Sequence, residues 1–386
     1  MKINFLSLLF CLSLVQMSWA QFPIGRRTVT FTDPSRANRS ISAEVCYPAT
    51  SAGSNANFAN GQFPLVVFGH GFVMTYTAYD VVWQALVPEG YIVVLPTTEG
   101  SFSPSHGNFG QDIAFLVNAF RNENTNSSSV YFGKLSGSTA VMGHSMGGGA
   151  AFLAAQQDPT ITAFATLAAA ETNPSAINAA KNISMPALVF SGGDDCVTPP
   201  ANHQIPMYDS LASNCKTFIS IIDGSHCQFA SNNFNCNLGE GTCNPVPAIT
   251  RAAQQSTTFS LLLPWLNFYL KNNSGSGVQF QNSLANPVGF SSQQNCSLTQ
   301  TTALETLQKE EIHLYPNPAT KHIRLQLGTD SAENIQISSM DGKVLISQSN
   351  YSNNEEISVA QLPVGIYVVR VKTKNSSSTL LLQVLQ

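Results

Sequence analysis

The chain has 386 residues, 43% of them hydrophobic and only 10% charged, with a formal net charge of -4. That is enough for one large domain and a smaller one. Soluble domains carry about 25% charged residues, so this surface must be built largely from Ser, Thr, Asn, Gln and Gly. Disorder driven by high net charge is excluded, and 18 Lys plus Arg spread along the chain give no electrostatic footprint for nucleic acid.

Residues 1–20 read as a secretory leader: Lys2, an apolar run from Phe5 to Val15, then Ser18-Trp19-Ala20 with small residues at the cleavage positions. The run is shorter than the ~20 residues that a membrane span requires. The mature chain is expected to begin near Gln21, in a compartment where disulfides persist. Loss of the leader removes Cys11 and leaves Cys46, Cys196, Cys215, Cys227, Cys236, Cys243 and Cys296. An odd count leaves at least one thiol free or paired between chains. No pair has the CxxC spacing of a structural zinc site, and neither metal nor organic cofactor is expected.

From Arg27 to about Phe290 short β-rich runs alternate with longer helical ones, which predicts a mostly parallel sheet with helices on both faces. Thr28–Phe31 and Ser42–Tyr47 alternate and predict an antiparallel edge hairpin. Six near-continuous apolar runs predict buried strands: Phe63–Phe68, Tyr91–Leu95, Thr139–Met142, Ile161–Leu167, Pro186–Phe190 and Thr217–Ile222. Helices are expected over Tyr79–Leu86, Gly110–Phe120, Gly147–Gln156 and within Val246–Leu270. Composition turns polar after Cys296, and residues 298–312 read as a linker. Residues 313–386 carry seven short alternating runs, from His313–Tyr315 to Thr379–Leu385, separated by turn signals such as Asp341-Gly342. They predict a small all-β sandwich without a catalytic cluster.

The chemical signal is Gly143-His144-Ser145-Met146-Gly147-Gly148, set between the run TAVM and an Ala- and Gly-rich helix start. The bare pattern is common. Its setting is not, because a nucleophile elbow needs a strand before it, a helix after it and small neighbours that permit a strained turn. Ser145 is the candidate nucleophile. A serine hydroxyl needs an imidazole to take its proton, and in this arrangement the acid and then the histidine follow in sequence. His70 and His106 precede Ser145, and His144 lies within the elbow. His226 sits in the loop after an apolar strand, at the sheet edge where catalytic groups gather, and is favoured over His203. The loop after Pro186–Phe190 offers Asp194 and Asp195, of which one can face the histidine. Backbone donors for an oxyanion are expected at Met146 and, in the turn Gly69-His70-Gly71-Phe72, at Phe72.

Four segments, HGF at 70–72, GHSMGGG at 143–149, DCVTP at 195–199 and DGSH at 223–226, resemble α/β-hydrolases of the dienelactone hydrolase and cutinase-like polyester hydrolase group. The resemblance covers residues 21–297 and implies a doubly wound sheet, a serine esterase mechanism without cofactor, and Asp195 as the acid, with Asp194 in reserve. Phe72 stands where the oxyanion-loop aromatic of those enzymes stands. The stretch Leu167-Ala168-Ala169-Ala170-Glu171-Thr172 lacks the Trp usual in the polyester hydrolases. The tail resembles the C-terminal sorting domain of type IX secretion substrates, through Tyr315-Pro316-Asn317-Pro318, Asp341-Gly342-Lys343 and Leu362-Pro363-Val364-Gly365-Ile366-Tyr367. It lacks the basic residue often found at the terminus of such domains.

The expectation is a secreted, monomeric ester hydrolase that takes small or polymeric esters, poly(ethylene terephthalate) among them, and meets the type IX machinery through its tail. Lipase, serine peptidase and a non-catalytic surface-binding module are the alternatives. Phe72, Met146 and Phe102 are candidates for an apolar substrate cleft. A bridge between Cys196 and Cys227 would join the acid and base loops, and Cys236 with Cys243 would close a local loop.

Overall fold

The computed structural model describes residues 21–244, 248–298, 312–327, 331–339, 343–373 and 377–385. The leader, most of the linker and the Asp341-Gly342 turn lie outside the described residues. The chain divides into two compact units, residues 1–299 and 300–386.

Ten strands of the first unit form one sheet. In chain order they are β1 (Ile24–Asp33), β2 (Arg39–Pro48), β3 (Gly53–Ser54), β4 (Phe63–Gly69), β5 (Ile92–Pro96), β6 (Leu135–His144), β7 (Ala163–Leu167), β8 (Ala187–Gly192), β9 (Lys216–Ile221) and β10 (Phe290–Gln294). Their spatial order is β10-β9-β8-β7-β6-β4-β5-β2-β1-β3. From β5 to β9 neighbouring strands are parallel, whereas β2 meets β5, β1 meets β2 and β10 meets β9 antiparallel. The expected hairpin is therefore real but longer, and only the two-residue β3 lies outside it.

Helices are α1 (Asp80–Leu86), α2 (His106–Thr125), α3 (Met146–Ala155), α4 (Ala176–Ala180), α5 (Gln204–Ser210), α6 (Phe234–Glu240), α7 (Arg251–Lys271) and α8 (Ser274–Ala285). Apolar strands buried on both faces create two cores. Leu65, Val67, Val141 and Val189 turn toward α2, α3, α4 and α5. Val66, Phe68, Met142 and Phe190 turn toward α1, α7 and α8. Because successive strand side chains point to opposite faces, each strand feeds both cores. Chain order reverses across β4, with β5 on one side and β6 on the other, and such a switch point opens a crevice at the strands' C-terminal ends.

The short helices and β10 carry little sequence signal. Helix α8 reads SGSGVQFQNSLA, a Gly- and Ser-rich stretch held helical by the Asn273 side chain accepting from the Ser276 N–H and by packing of the buried Phe280. Strand β10, FSSQQ, is fixed by its ladder to β9 rather than by hydrophobicity. Leu298, expected in the linker, is buried in the first unit's core, and Ile312 is buried in the second unit's core.

The second unit contains a three-stranded antiparallel sheet of β11 (His313–Tyr315), β12 (His322–Gln326) and β15 (Glu356–Ser358). A four-stranded one is built from β14 (Val344–Ser352), β13 (Ser331–Ser339), β16 (Gly365–Lys372) and β17 (Ser377–Val384). Alternating residues such as Ile323, Leu325, Ile335, Ile337, Val369 and Val371 form its core.

Candidate active site

Ser145 occupies the sharp turn between β6 and α3 with φ 55° and ψ -124°, a left-handed conformation that a non-glycine residue adopts only when its surroundings enforce it. Its carbonyl accepts from the N–H of Ala170 at 2.9 Å and of Gly149 at 3.1 Å, and its N–H donates to Leu167 O. The flanking glycines are steric requirements. A Cβ on Gly143 would lie 2.2 Å from Gly147 O, and one on Gly147 would lie 2.2 Å from the Gly69 carbonyl. The elbow and the loop after β4 are thus in backbone contact, which draws both loops to the switch point.

Three side chains from three loops meet there. His226 Nδ1 lies 2.8 Å from Asp195 Oδ2, and His226 Nε2 lies 2.9 Å from Ser145 Oγ. A carboxylate only accepts, so Nδ1 carries the proton and Nε2 is left to accept from the serine hydroxyl. All three residues are buried. Asp195 Oδ1 accepts from the N–H groups of Val197 and Thr198, each at 2.8 Å, while Oδ2 also accepts from the Thr198 hydroxyl at 2.7 Å. Burial pushes the Asp195 carboxyl upward. The hydrogen bond and charge of His226, with the Thr198 N–H and hydroxyl, outweigh it and hold the group below the usual carboxylate range. Asp194 is exposed, and its N–H donates to Gly224 O. His203 is engaged with another loop: its Nδ1 accepts from the Glu171 N–H at 2.8 Å, and burial holds its pKa below the ordinary value.

The loop after β4 forms a turn closed by the Met74 N–H on Gly71 O at 3.1 Å, with Phe72 and Val73 in its centre. Val73 has φ 53°, an uncommon conformation for a β-branched residue and a second strained point beside the elbow. Phe72 is half exposed and Phe102 largely exposed, with ring centroids 6.4 Å apart in an edge-to-face pair. The Met146 side chain, by contrast, is buried in the core beneath, because the first helical residue after the elbow points into the α2–α3 packing. Of the three cleft candidates, only the two phenylalanines present apolar surface to solvent.

Several supporting residues were not singled out from sequence. Thr198 Oγ1 lies 3.0 Å from His226 Nδ1 and receives a bond from Gln204 Nε2 at 3.1 Å. Buried Gln254 of α7 clamps the histidine loop, accepting from the Ser225 N–H and donating to Ser225 O, both at 2.8 Å. Thr198 lies within the DCVTP segment, the one signal that could have marked it. The two glutamines have none.

The expected Cys196–Cys227 bridge is not formed. Cys196 pairs with Cys243, Cys227 with Cys236 and Cys215 with Cys296, leaving Cys46 buried and free among the described residues. Cys196 is exposed, whereas Cys227 is buried at the start of a short 3-10 turn. The expected Cys236–Cys243 loop fails with it. Both bridges instead run into the segment 227–244, and there Asn235 Nδ2 donates to Val73 O at 2.9 Å. One strap is therefore tied to the acid loop, the histidine loop and the turn bearing Phe72.

The profile described as PET hydrolase-like matches residues 20–244. This chain belongs to that family. It is 26% identical over 182 residues to a cutinase of Thermobifida alba, covering 47% of this chain and 58% of the relative. It is 27% identical over 197 residues to a bis(hydroxyethyl) terephthalate hydrolase of Streptomyces coelicolor, covering 51% and 58%. A cutinase of Thermobifida fusca is 27% identical over 184 residues, covering 47% and 58%. The chain thus spans less than two thirds of the length of these relatives. Residues 313–384 match the secretion system C-terminal sorting domain, which marks the protein as secreted or displayed at the cell surface.

Proposed function

We propose that this protein is a secreted serine hydrolase of carboxylic esters, acting through an acyl-enzyme on Ser145. The observation that carries the reading is the continuous buried chain from Ser145 Oγ through His226 to Asp195. As the hydroxyl attacks the ester carbonyl, its proton passes to His226 Nε2, and Asp195 stabilises the imidazolium so formed. The carbonyl oxygen, now negative, is met by the N–H groups of Met146 and Phe72. Collapse of the tetrahedral intermediate returns the proton from Nε2 to the departing alcohol. Water then attacks the acyl-enzyme with the same base, releasing the acid and restoring the serine.

The relatives named for cutin and terephthalate esters favour an ester with an apolar acyl group, and the exposed rings of Phe72 and Phe102 offer a surface for it. Polyesters, including poly(ethylene terephthalate), come within this class. The tail is the element that would be read by the type IX export machinery, and the hydrolase unit is taken to work as a monomer. Turnover of p-nitrophenyl butyrate and bis(hydroxyethyl) terephthalate by the full chain, compared with Ser145→Ala, tests the reading. Activity abolished by the substitution is expected. Activity that survives it, or no hydrolysis of any ester by the parent chain, would reject it.

A further inference from the structure

A buried line of hydrogen bonds crosses the elbow and joins the turn that carries Phe72 to the loop that carries His226. The chemistry fixes the direction of every link. The His226 carbonyl can only accept, so His144 Nε2, 3.0 Å away, carries the ring's proton. A neutral ring protonated there presents Nδ1 as an acceptor, and the Tyr79 hydroxyl at 2.9 Å must donate to it. With its hydrogen so directed, the Tyr79 oxygen accepts from the Gly71 N–H at 2.7 Å. Met74 Sδ, 3.2 Å from the same oxygen, is the weaker acceptor and does not compete with an imidazole nitrogen.

The protonation states that this polarity requires are enforced by the surroundings. Tyr79 and His144 have no exposed surface. Burial first, and the neighbouring His226 second, push the His144 imidazole down to about 3. Burial raises the Tyr79 phenol above its ordinary value, so it stays a donor. The other side of Gly71 is held as well: His70 Nδ1 lies 2.9 Å from Gly71 O, and the Met74 N–H donates to the same oxygen. Both peptide groups flanking the turn are therefore committed, and the Phe72 N–H that follows is left with one direction.

We propose that Tyr79 and His144 are positioning residues, which together form a strut setting the separation between the Phe72 donor and the His226 base. The inference rests on the esterase reading, because it gives the strut its purpose. Charge develops in the transition state at two places, on the substrate oxygen beside Phe72 and on the imidazole of His226. A fixed spacing between them lowers the barrier without improving ground-state binding.

The test uses the full chain with p-nitrophenyl butyrate, and active sites are counted by titration with a p-nitrophenyl phosphonate. Tyr79→Phe keeps the ring and removes the hydroxyl, leaving the Gly71 N–H and His144 Nδ1 without a partner. Per titrated site, kcat should fall about 10- to 100-fold while KM stays within about twofold. His144→Leu should lose a similar amount, and His144→Gln, which can donate to His226 O and accept from Tyr79, should recover most of it. Combining Tyr79→Phe with His144→Leu should cost no more than the worse single change, since both cut one strut. A purely structural role would lower the melting temperature and the titratable fraction but leave kcat per site unchanged, and that result would overturn the proposal. Losses that multiply in the double variant would overturn it too. Failure of the esterase reading is separate: the parent chain would then neither titrate nor turn over. If His144→Leu does not fold, Tyr79→Phe alone decides.

Discussion

Replacing Asp195 by Asn tests the proposed proton relay more sharply than deleting the side chain, because the surroundings dictate how the amide must sit. Oδ1 accepts from two backbone N–H groups, those of Val197 and Thr198, both at 2.8 Å. The amide oxygen of an Asn must stay on those donors, since the reverse flip would set an NH2 against both of them and lose two hydrogen bonds, roughly 2 to 6 kcal/mol. The NH2 group therefore takes the place of Oδ2 and points a hydrogen at His226 Nδ1, where the carboxylate accepted one at 2.8 Å. That reverses the ring: Nδ1 becomes the acceptor and Nε2 carries the proton, facing Ser145 Oγ with nothing to receive. Asp195→Asn should fold like the parent chain and lose about 10⁴-fold in kcat/KM, read with p-nitrophenyl butyrate beside circular dichroism and thermal melting. Asp194→Asn, at the exposed neighbour, should leave turnover near that of the parent. Retention of more than about a tenth of the activity by Asp195→Asn, against that expected loss, would mean that another group sets the tautomer, and the relay would have to be redrawn.

Three further outcomes follow from the same geometry. Gly147→Ala puts a methyl 2.2 Å from the Gly69 carbonyl and 2.5 Å from His70 O, with backbone on both sides unable to yield; overpacking of about 1 to 3 kcal/mol should lower the melting temperature, and displacement of the turn bearing Phe72 should reduce kcat, whereas an unchanged kcat would deny that this contact positions the turn. Cys215→Ser with Cys296→Ser opens a bridge between residues 81 apart and should cost about 4 to 5 kcal/mol on chain-entropy grounds, seen as a lower denaturation midpoint; an unchanged midpoint would refute that estimate. The third concerns acid. His144 is held near 3 when folded, against 6.5 for the ordinary group, so below about pH 6.5 the unfolded chain takes up a proton that the folded chain refuses. This group alone should remove about 3 kcal/mol of stability between about pH 7 and about pH 4. In denaturant titrations over that range, His144→Gln should flatten the loss, and an undiminished slope would show that His144 is not its source.

How far the sequence carried depends on whether a residue's role is imposed by its neighbours in the chain or by distant ones. Ser145 was legible because its strained turn needs Gly143 and Gly147 beside it, and those requirements are local. His226 and the acid were legible because a parallel sheet delivers its loops to one edge in chain order, and family resemblance chose between Asp194 and Asp195. Gln204, Gln254 and Tyr79 left no trace. A buried amide or phenol in a helical run reads the same as one on a polar face, and only the fold reveals the carbonyl or imidazole it serves. Helix α8 and strand β10 were missed for a related reason: a cap at Asn273 and a ladder to β9 hold stretches whose composition argues for turns.

The disulfides expose the same limit from the opposite direction. Adjacency of Cys196 to Asp195 and of Cys227 to His226 invited a direct bridge between the two loops. Yet Cys196 is exposed and Cys227 is buried at the start of a short 3-10 turn, and each finds its partner in the segment that follows the histidine. The loops are joined all the same, through a strap closed by Cys196–Cys243 and Cys227–Cys236 and anchored by Asn235 on Val73 O. In this chain, the cysteines beside Asp195 and His226 are therefore each tied to the neighbouring strap rather than to one another, and the strap carries the connection between the two loops.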